Sequence, residues 1–326
     1  MRVKHLATVM AVGMMALLAC ASPQKGKLNQ SINPDDPNGA LLLAVYNDSA
    51  RKVNAAMDRG AGANLRISGN STLLILAASK DTGDAAAALL VRGADPNLTE
   101  DNGMSPLIAA SFQGNAEMVA LLVKNGARID HANEEGQTAL HAAVYGGHDK
   151  VVRILISAGL DPNTKDKNGL TPLFVACEKG KYEAALALLE ARVDPDLPNF
   201  NGHTPLMAAT QVGHREIARA LLKAGAHPNR QTTKGGTAVI IAAEYDMSHM
   251  IGPLAKGGAQ LDLRDYSGAT ALMIAAFKGN FSTVEALLEQ GADPKAKNGQ
   301  SATALDFARS AGNDDIAKML QRATRR

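Results

Sequence analysis

The sequence predicts an all-α solenoid of stacked helix pairs with β-turn fingers, about nine repeats including the caps. Two observations carry that prediction. Thr72, Ser105, Thr138, Thr171, Thr204, Thr237, Thr270 and Thr303 follow one another at a constant interval of 33 residues, without an insertion or deletion. Composition agrees: the 326 residues are 46% hydrophobic but only 3% aromatic, with no Trp and abundant Ala, Leu and Gly. Such a composition suits small helices in close contact rather than a sheet of β-branched and aromatic residues. A constant period of this length means one small unit per repeat, none able to bury its own apolar face, so stacking supplies the core.

At the N-terminus Arg2, Lys4 and His5 precede an apolar run from Leu6 to Ala19. That run is short of the roughly 20 residues a spanning helix needs and has the length of an export-signal core. Residues 1–19 are therefore expected to be a signal peptide. The run ends Leu17, Leu18, Ala19, Cys20, which resembles the bacterial lipobox. The resemblance implies a diacylated Cys20 at the start of the mature chain, anchored durably because several acyl chains are buried. An ordinary signal peptide cut near Ala21 or Ser22 is the alternative. Ala21 rather than Asp follows the Cys, and within the lipoprotein family this favours the outer over the inner membrane. Residues 20–37, broken by Pro23, Gly26, Pro34 and Pro37, have no hydrophobic period and read as a flexible tether. Loss of Arg2 and Lys4 with the signal takes Lys+Arg from 34 to 32, equal to the 32 Asp+Glu. A near-neutral mature chain offers no basic surface for a polyanion, so nucleic acid is not an expected partner.

From 38 to 326 the repeats follow in register. Thr72 opens TLLILAA, Ser105 SPLIAAS, Thr138 TALHAAV, Thr171 TPLFVAC, Thr204 TPLMAAT, Thr237 TAVIIAA, Thr270 TALMIAA and Thr303 TALDFAR. These runs, with Gly two residues before the Thr at Gly103, Gly136, Gly169, Gly202, Gly235 and Gly268, resemble the ankyrin repeat. Each position has a mechanical reason. The Thr hydroxyl caps the first helix, Pro fits its first position, and Leu opens the buried face. The paired small residues, such as Ala109 and Ala110, let neighbouring helices approach. Gly93, Gly126, Gly159, Gly225, Gly258 and Gly291 end the second helix in the left-handed conformation. ALLLAV after Gly39 reads as a degenerate first repeat, and Asp306, Arg309, Asp314, Asp315 and Lys318 give the last repeat the polar face of a cap. The repeat that begins at Thr237 is expected to be the weakest, since Gly252 and Pro253 fall inside its second helix and Asp246 replaces a turn Gly.

Catalytic chemistry has little to stand on. His148 and His214 lie two repeats apart, on the order of 20 Å at about 10 Å per helix layer, too far to share a metal. They read as turn residues, and His141, in TALH, as the family's loop hydrogen-bonding histidine. Cys177 falls on a small-residue packing position and reads as a buried structural thiol. No Walker loop, GxSxG, HExxH or CxxC is present. No enzyme activity, cofactor, metal or small-molecule substrate is expected.

Function is then expected where the repeat does not dictate the residue. In ankyrin arrays these positions are the finger tips and the two residues ending the first helix, which line the concave groove. Here they supply Tyr46, Lys80, Phe112, Gln113, Tyr145, Glu178, Lys179, Glu244, Tyr245, Phe277 and Lys278, with Phe200 and Tyr266 near finger tips. Seven of the eleven aromatics fall in this set. Aromatics on a rigid surface are typical hot spots, and the charged members suit a polar rim. The alternative is that the rings pad adjacent repeats. The resemblance thus implies a non-enzymatic module that binds a protein partner, tethered to a membrane by its lipid and facing the periplasm of a bacterial envelope. The alternative function is an immunity protein that neutralises a periplasm-acting toxin or lipase effector.

Overall fold

The computed structural model describes residues 33–325. The expected signal peptide and Cys20 lie outside the described residues. The chain divides into two compact units, Met1–Asp161 and Pro162–Arg326. Among the described residues there are eighteen α-helices and no strand. No described helix is long and apolar enough to cross a membrane.

The first unit contains four helix pairs: Pro37–Tyr46 with Ala50–Asp58, Leu73–Lys80 with Gly83–Val91, Pro106–Gln113 with Ala116–Lys124, and Ala139–Gly146 with Asp149–Ser157. First helices pack on first helices and second on second. The second unit repeats the plan with five pairs: Pro172–Lys179 and Tyr182–Glu190, Pro205–Val212 and Arg215–Lys223, Ala238–Glu244 and Ser248–Lys256, Ala271–Lys278 and Phe281–Glu289, Ala304–Ser310 and Asp314–Thr324.

The motif residues act as expected. The hydroxyls of Thr72, Ser105, Thr171, Thr204, Thr237 and Thr270 accept from the backbone N–H three residues on, at 3.2–3.4 Å. Pro106, Pro172 and Pro205 occupy the first helical turn, where no intrahelical N–H is lost. The small pairs are fully enclosed: Ala77 and Ala78, Ala142 and Ala143, Ala242 and Ala243 are all 0% exposed. Leu74, Leu107, Leu140 and Leu173 sit beside them in the core. A fully buried Leu contributes about 1.5–3 kcal/mol, so each of these residues adds to the adhesion between layers.

Two sets of polar residues hold the fingers, one tying each repeat to the next and one closing a finger on itself. Asn64, Asn97, Asp196, Asn229 and Asp262 stand eight residues before their motif Thr, and each side-chain oxygen accepts the backbone N–H 31 residues on, at 2.7–2.9 Å. Asn133, Asp166, Asn199, Asp265 and Asn298 stand five before it and close their own finger by accepting from the N–H two and four residues on. A helix-pair repeat without strands needs such links, because its fingers otherwise leave backbone donors unpaired.

Candidate functional site

The fingers form a platform. Glu134 N–H donates to Asn102 O at 3.0 Å in the first unit, and in the second Thr233 N–H donates to Asn201 O at 3.0 Å and Tyr266 N–H to Lys234 O at 3.1 Å. Only glycine fits at the step before each such bond: at Gly235, with φ of 80°, a Cβ would lie 2.6 Å from Tyr266 N. The spacing that reads in sequence as a turn signal is thus also a close-approach requirement.

Phe200 and Tyr266 occupy the same finger position two repeats apart. Each ring lies against the glycine of the preceding finger, Gly169 and Gly235 respectively. Support from below leaves the outer faces open, and they are 68% and 72% exposed. Both are exposed rings on the fingers, at the positions the sequence gives them.

The helix-end residues divide into two kinds. Phe112 and Tyr145 are half-buried and stack on one another with centroids 5.8 Å apart and planes inclined by 27°. Helix layers pack about 10 Å apart as a rule, so side chains of adjacent layers whose rings lie 5.8 Å apart reach toward one another. Tyr46 is half-buried beneath Lys80, whose Nζ lies 3.9 Å from the ring centroid. In the second unit Tyr245 is 46% exposed and Phe277 53%, with Phe277 edge-on to Phe307 at 6.3 Å. Gln113 is exposed. Glu178 and Lys179 pair at 3.0 Å, and Glu244 and Lys278 at 3.5 Å. At half-exposed positions such pairs add little stability and leave both charges within reach of a partner.

Beneath this surface His203 is half-buried, its N–H bonded to Asn199 Oδ1 at 3.0 Å. Burial pulls its pKa below the usual imidazole value, and the Glu244 carboxylate opposes that shift. Glu100, in a finger of the first unit, is raised chiefly by burial, against a lowering hydrogen bond from Ser71, with the Asp101 carboxylate adding to the rise. His148 bonds through Nε2 to Phe112 O at 3.0 Å and covers Gly114, and His214 covers Gly180, so both are turn residues. His141 is 1% exposed, with its Nδ1 at 3.3 Å from Thr138 N and 3.0 Å from Thr138 Oγ1. Cys177 is fully buried, and burial pushes its thiol pKa far up. Among the described residues no group of three or more His, Cys, Asp or Glu could hold a metal ion.

The aligned Asn and Asp residues eight and five positions before the motif Thr escaped the sequence reading. Registering the whole chain on Thr would have revealed them. At the polar turn position that His148 and His214 occupy in their repeats, Asn280 and Asn313 do similar work, donating from Nδ2 to Ala243 O and Ala276 O at 2.8 Å.

The model of ankyrin repeats (3 copies) matches residues 74–166, 158–232 and 239–324. Among solved structures, the chain is similar to the ankyrin repeat domain of Bcl-3, described as a unique member of the IkappaB protein family. The two are 33% identical, with a TM-score of 0.61, over 67% of this chain and 100% of that domain. No curated protein matches the sequence. With fold, periodic caps and matched residues in agreement over most of its length, the chain belongs to the ankyrin-repeat family.

Proposed function

We propose that this chain is a non-enzymatic protein-binding module, tethered by a lipid on Cys20 to a bacterial envelope membrane and facing the periplasm. One observation carries the binding surface. Of the eight exposed large hydrophobic residues among the described residues, five lie on fingers or first-helix ends of the second unit: Phe200, Val212, Tyr245, Tyr266 and Phe277. A surface that needed only solubility would not concentrate them there. Rigid aromatics flanked by the ion-paired Glu244 and Lys278 have the make-up of an interface core with a polar rim. The lipobox resemblance at Cys20 supports the tether, which raises the module's concentration at the surface where its partner is met.

The test compares two double variants of the full chain in capture from envelope extract. Tyr245→Ala with Phe277→Ala should weaken capture by about tenfold or more, since a hot-spot aromatic is worth roughly 2 kcal/mol, with little change in melting temperature. Phe112→Ala with Tyr145→Ala removes a stacked pair and should lower the melting temperature. Full capture by the Tyr245 and Phe277 variant would move the site away from this face. Cys20→Ser should release the folded chain from the membrane fraction; retention would end the lipid-anchor reading.

A further inference from the structure

The second helices of the second unit carry a feature that the protein-binding face does not use. Between Arg215–Lys223 and Ser248–Lys256 lies an open cleft of about 480 Å³, lined by Arg215, Arg219, Leu222, Lys223, Pro253 and Lys256, together with two glycines and Gln290. That volume is within the range of roughly 300–1,000 Å³ typical of small-ligand sites. Four cations line it and no carboxylate does. Of these cations Arg219 pairs with Glu216 at 3.0 Å.

The cleft is a consequence of sequence. Gly252 aligns with Arg219 in the repeat before and Glu285 in the repeat after, so it omits a side chain its neighbours have. A Cβ at Gly252 would meet nothing within 4 Å, which marks the space that the missing side chain leaves. Gly257 does the opposite: a Cβ there would lie 2.7 Å from Leu222 Cδ1, so glycine lets the Leu222 side chain lie flat as a wall. Lys223 and Lys256 stand at the same position in consecutive repeats, while Glu289 occupies it in the next. Arg215, Arg219 and Lys223 follow at intervals of four on one helix face, where like charges repel by a few tenths of a kcal/mol per pair. Two glycines and a proline in or beside a nine-residue helix, opposite a repulsive cationic stripe, break several local rules at one place. Such breaks concentrate at functional sites.

We propose that this cleft binds a phosphoryl group. Its occupant carries two negative charges or more for Arg215, Arg219, Lys223 and Lys256, and a small apolar part against Leu222 and Pro253. Arg offers planar paired donors and Lys a compact charge, the two groups that recognise phosphate. A phospholipid headgroup and a soluble phosphorylated metabolite share this chemistry, and the experiment separates them.

The full chain, kept in non-ionic detergent, is titrated by calorimetry with inorganic pyrophosphate, dihexanoyl phosphatidylglycerol and dihexanoyl phosphatidylcholine, the lipids below their micelle concentrations. Pyrophosphate or the anionic lipid should bind and weaken with added salt, and the zwitterionic lipid should not. Tighter binding of the anionic lipid assigns a headgroup; tighter binding of pyrophosphate assigns a soluble ligand. Gly252→Leu starts from a Cβ position with nothing within 4 Å, extends a side chain into the cleft and gains helix propensity, so it should weaken binding at least tenfold without lowering the melting temperature. Lys223→Ala with Lys256→Ala should weaken binding by a similar factor in a folded chain. No heat from either anion at millimolar concentration, equal binding of both lipids, or an affinity unmoved by Gly252→Leu would each overturn the proposal.

Discussion

The repeats that begin at Thr204 and Thr237 are neighbours with the same cap, yet they make the same turns by different means. In the first, Pro205–Val212 ends at Gly213, with φ of 83°, and His214 opens the next helix. In the second, Ala238–Glu244 has 7 residues against 8, and Asp246 takes the left-handed position at φ of 58°. An Asp there is strained, but its Oδ1 accepts from Thr283 Oγ1 at 2.8 Å and so binds the following repeat. Met247 stands where other repeats have a polar turn residue, and His249 takes over, with Nε2 3.1 Å from Gly213 O. The second helix runs from Ser248 to Lys256 through a buried Pro253. Stacking therefore decides which conformation is adopted, while local sequence decides how much that conformation costs.

The proline is the largest difference between the two repeats. Pro253 aligns with Ala220, and in the helix interior it costs about 3 kcal/mol and one hydrogen bond. Pro253→Ala loses some ring contacts in exchange, so a net gain of roughly 1–2 kcal/mol is expected in denaturant unfolding. In the parent chain, amide exchange across 247–256 should be faster than across 215–223. No gain on substitution, together with equal exchange, would show that stacking has absorbed the proline at no cost.

The left-handed turns give a smaller and more discriminating test. Arg192 holds φ of 58° at the end of Tyr182–Glu190, where other repeats have Gly159 or Gly225. Arg192→Gly should stabilise the chain by about 1 kcal/mol, because a non-glycine residue pays roughly that in this region. Asp246→Gly relieves the same strain but removes the bond from Thr283, so its net effect should lie near zero. Equal gains at both sites would mean that the Thr283 bond contributes nothing to the stacking of the repeats.

The period, caps and turn glycines were legible because each is a local constraint repeated at a fixed interval. So were Phe200 and Tyr266, whose exposure follows from their finger position. Contacts between repeats were less legible. Phe112 and Tyr145 were placed on adjacent layers, but whether they stack or stand apart depends on side-chain rotamers that spacing does not specify. Gly252 and Pro253 could be read only as a defect in a helix. The cleft they open depends on what Arg219, Leu222 and Lys223 do across from them, which no single repeat contains.

The smallest effect concerns pH and links the two repeats directly. His203 precedes Thr204, and the carboxylate that influences it, Glu244, ends the first helix of the Thr237 repeat. Burial holds the folded pKa of His203 below its ordinary 6.5, so between the folded and unfolded values the unfolded chain binds more protons. Stability from this residue is therefore fully present above pH 6.5 and is lost as pH falls from there through the folded value. His203→Gln should flatten that part of the stability profile while leaving the region above pH 7 nearly unchanged. Glu244→Gln removes the opposing charge, so the imidazole of His203, followed by NMR, should titrate at lower pH than in the parent. A titration unmoved by Glu244→Gln would mean that the two repeats are not coupled through this pair, and that burial within the finger alone sets the histidine.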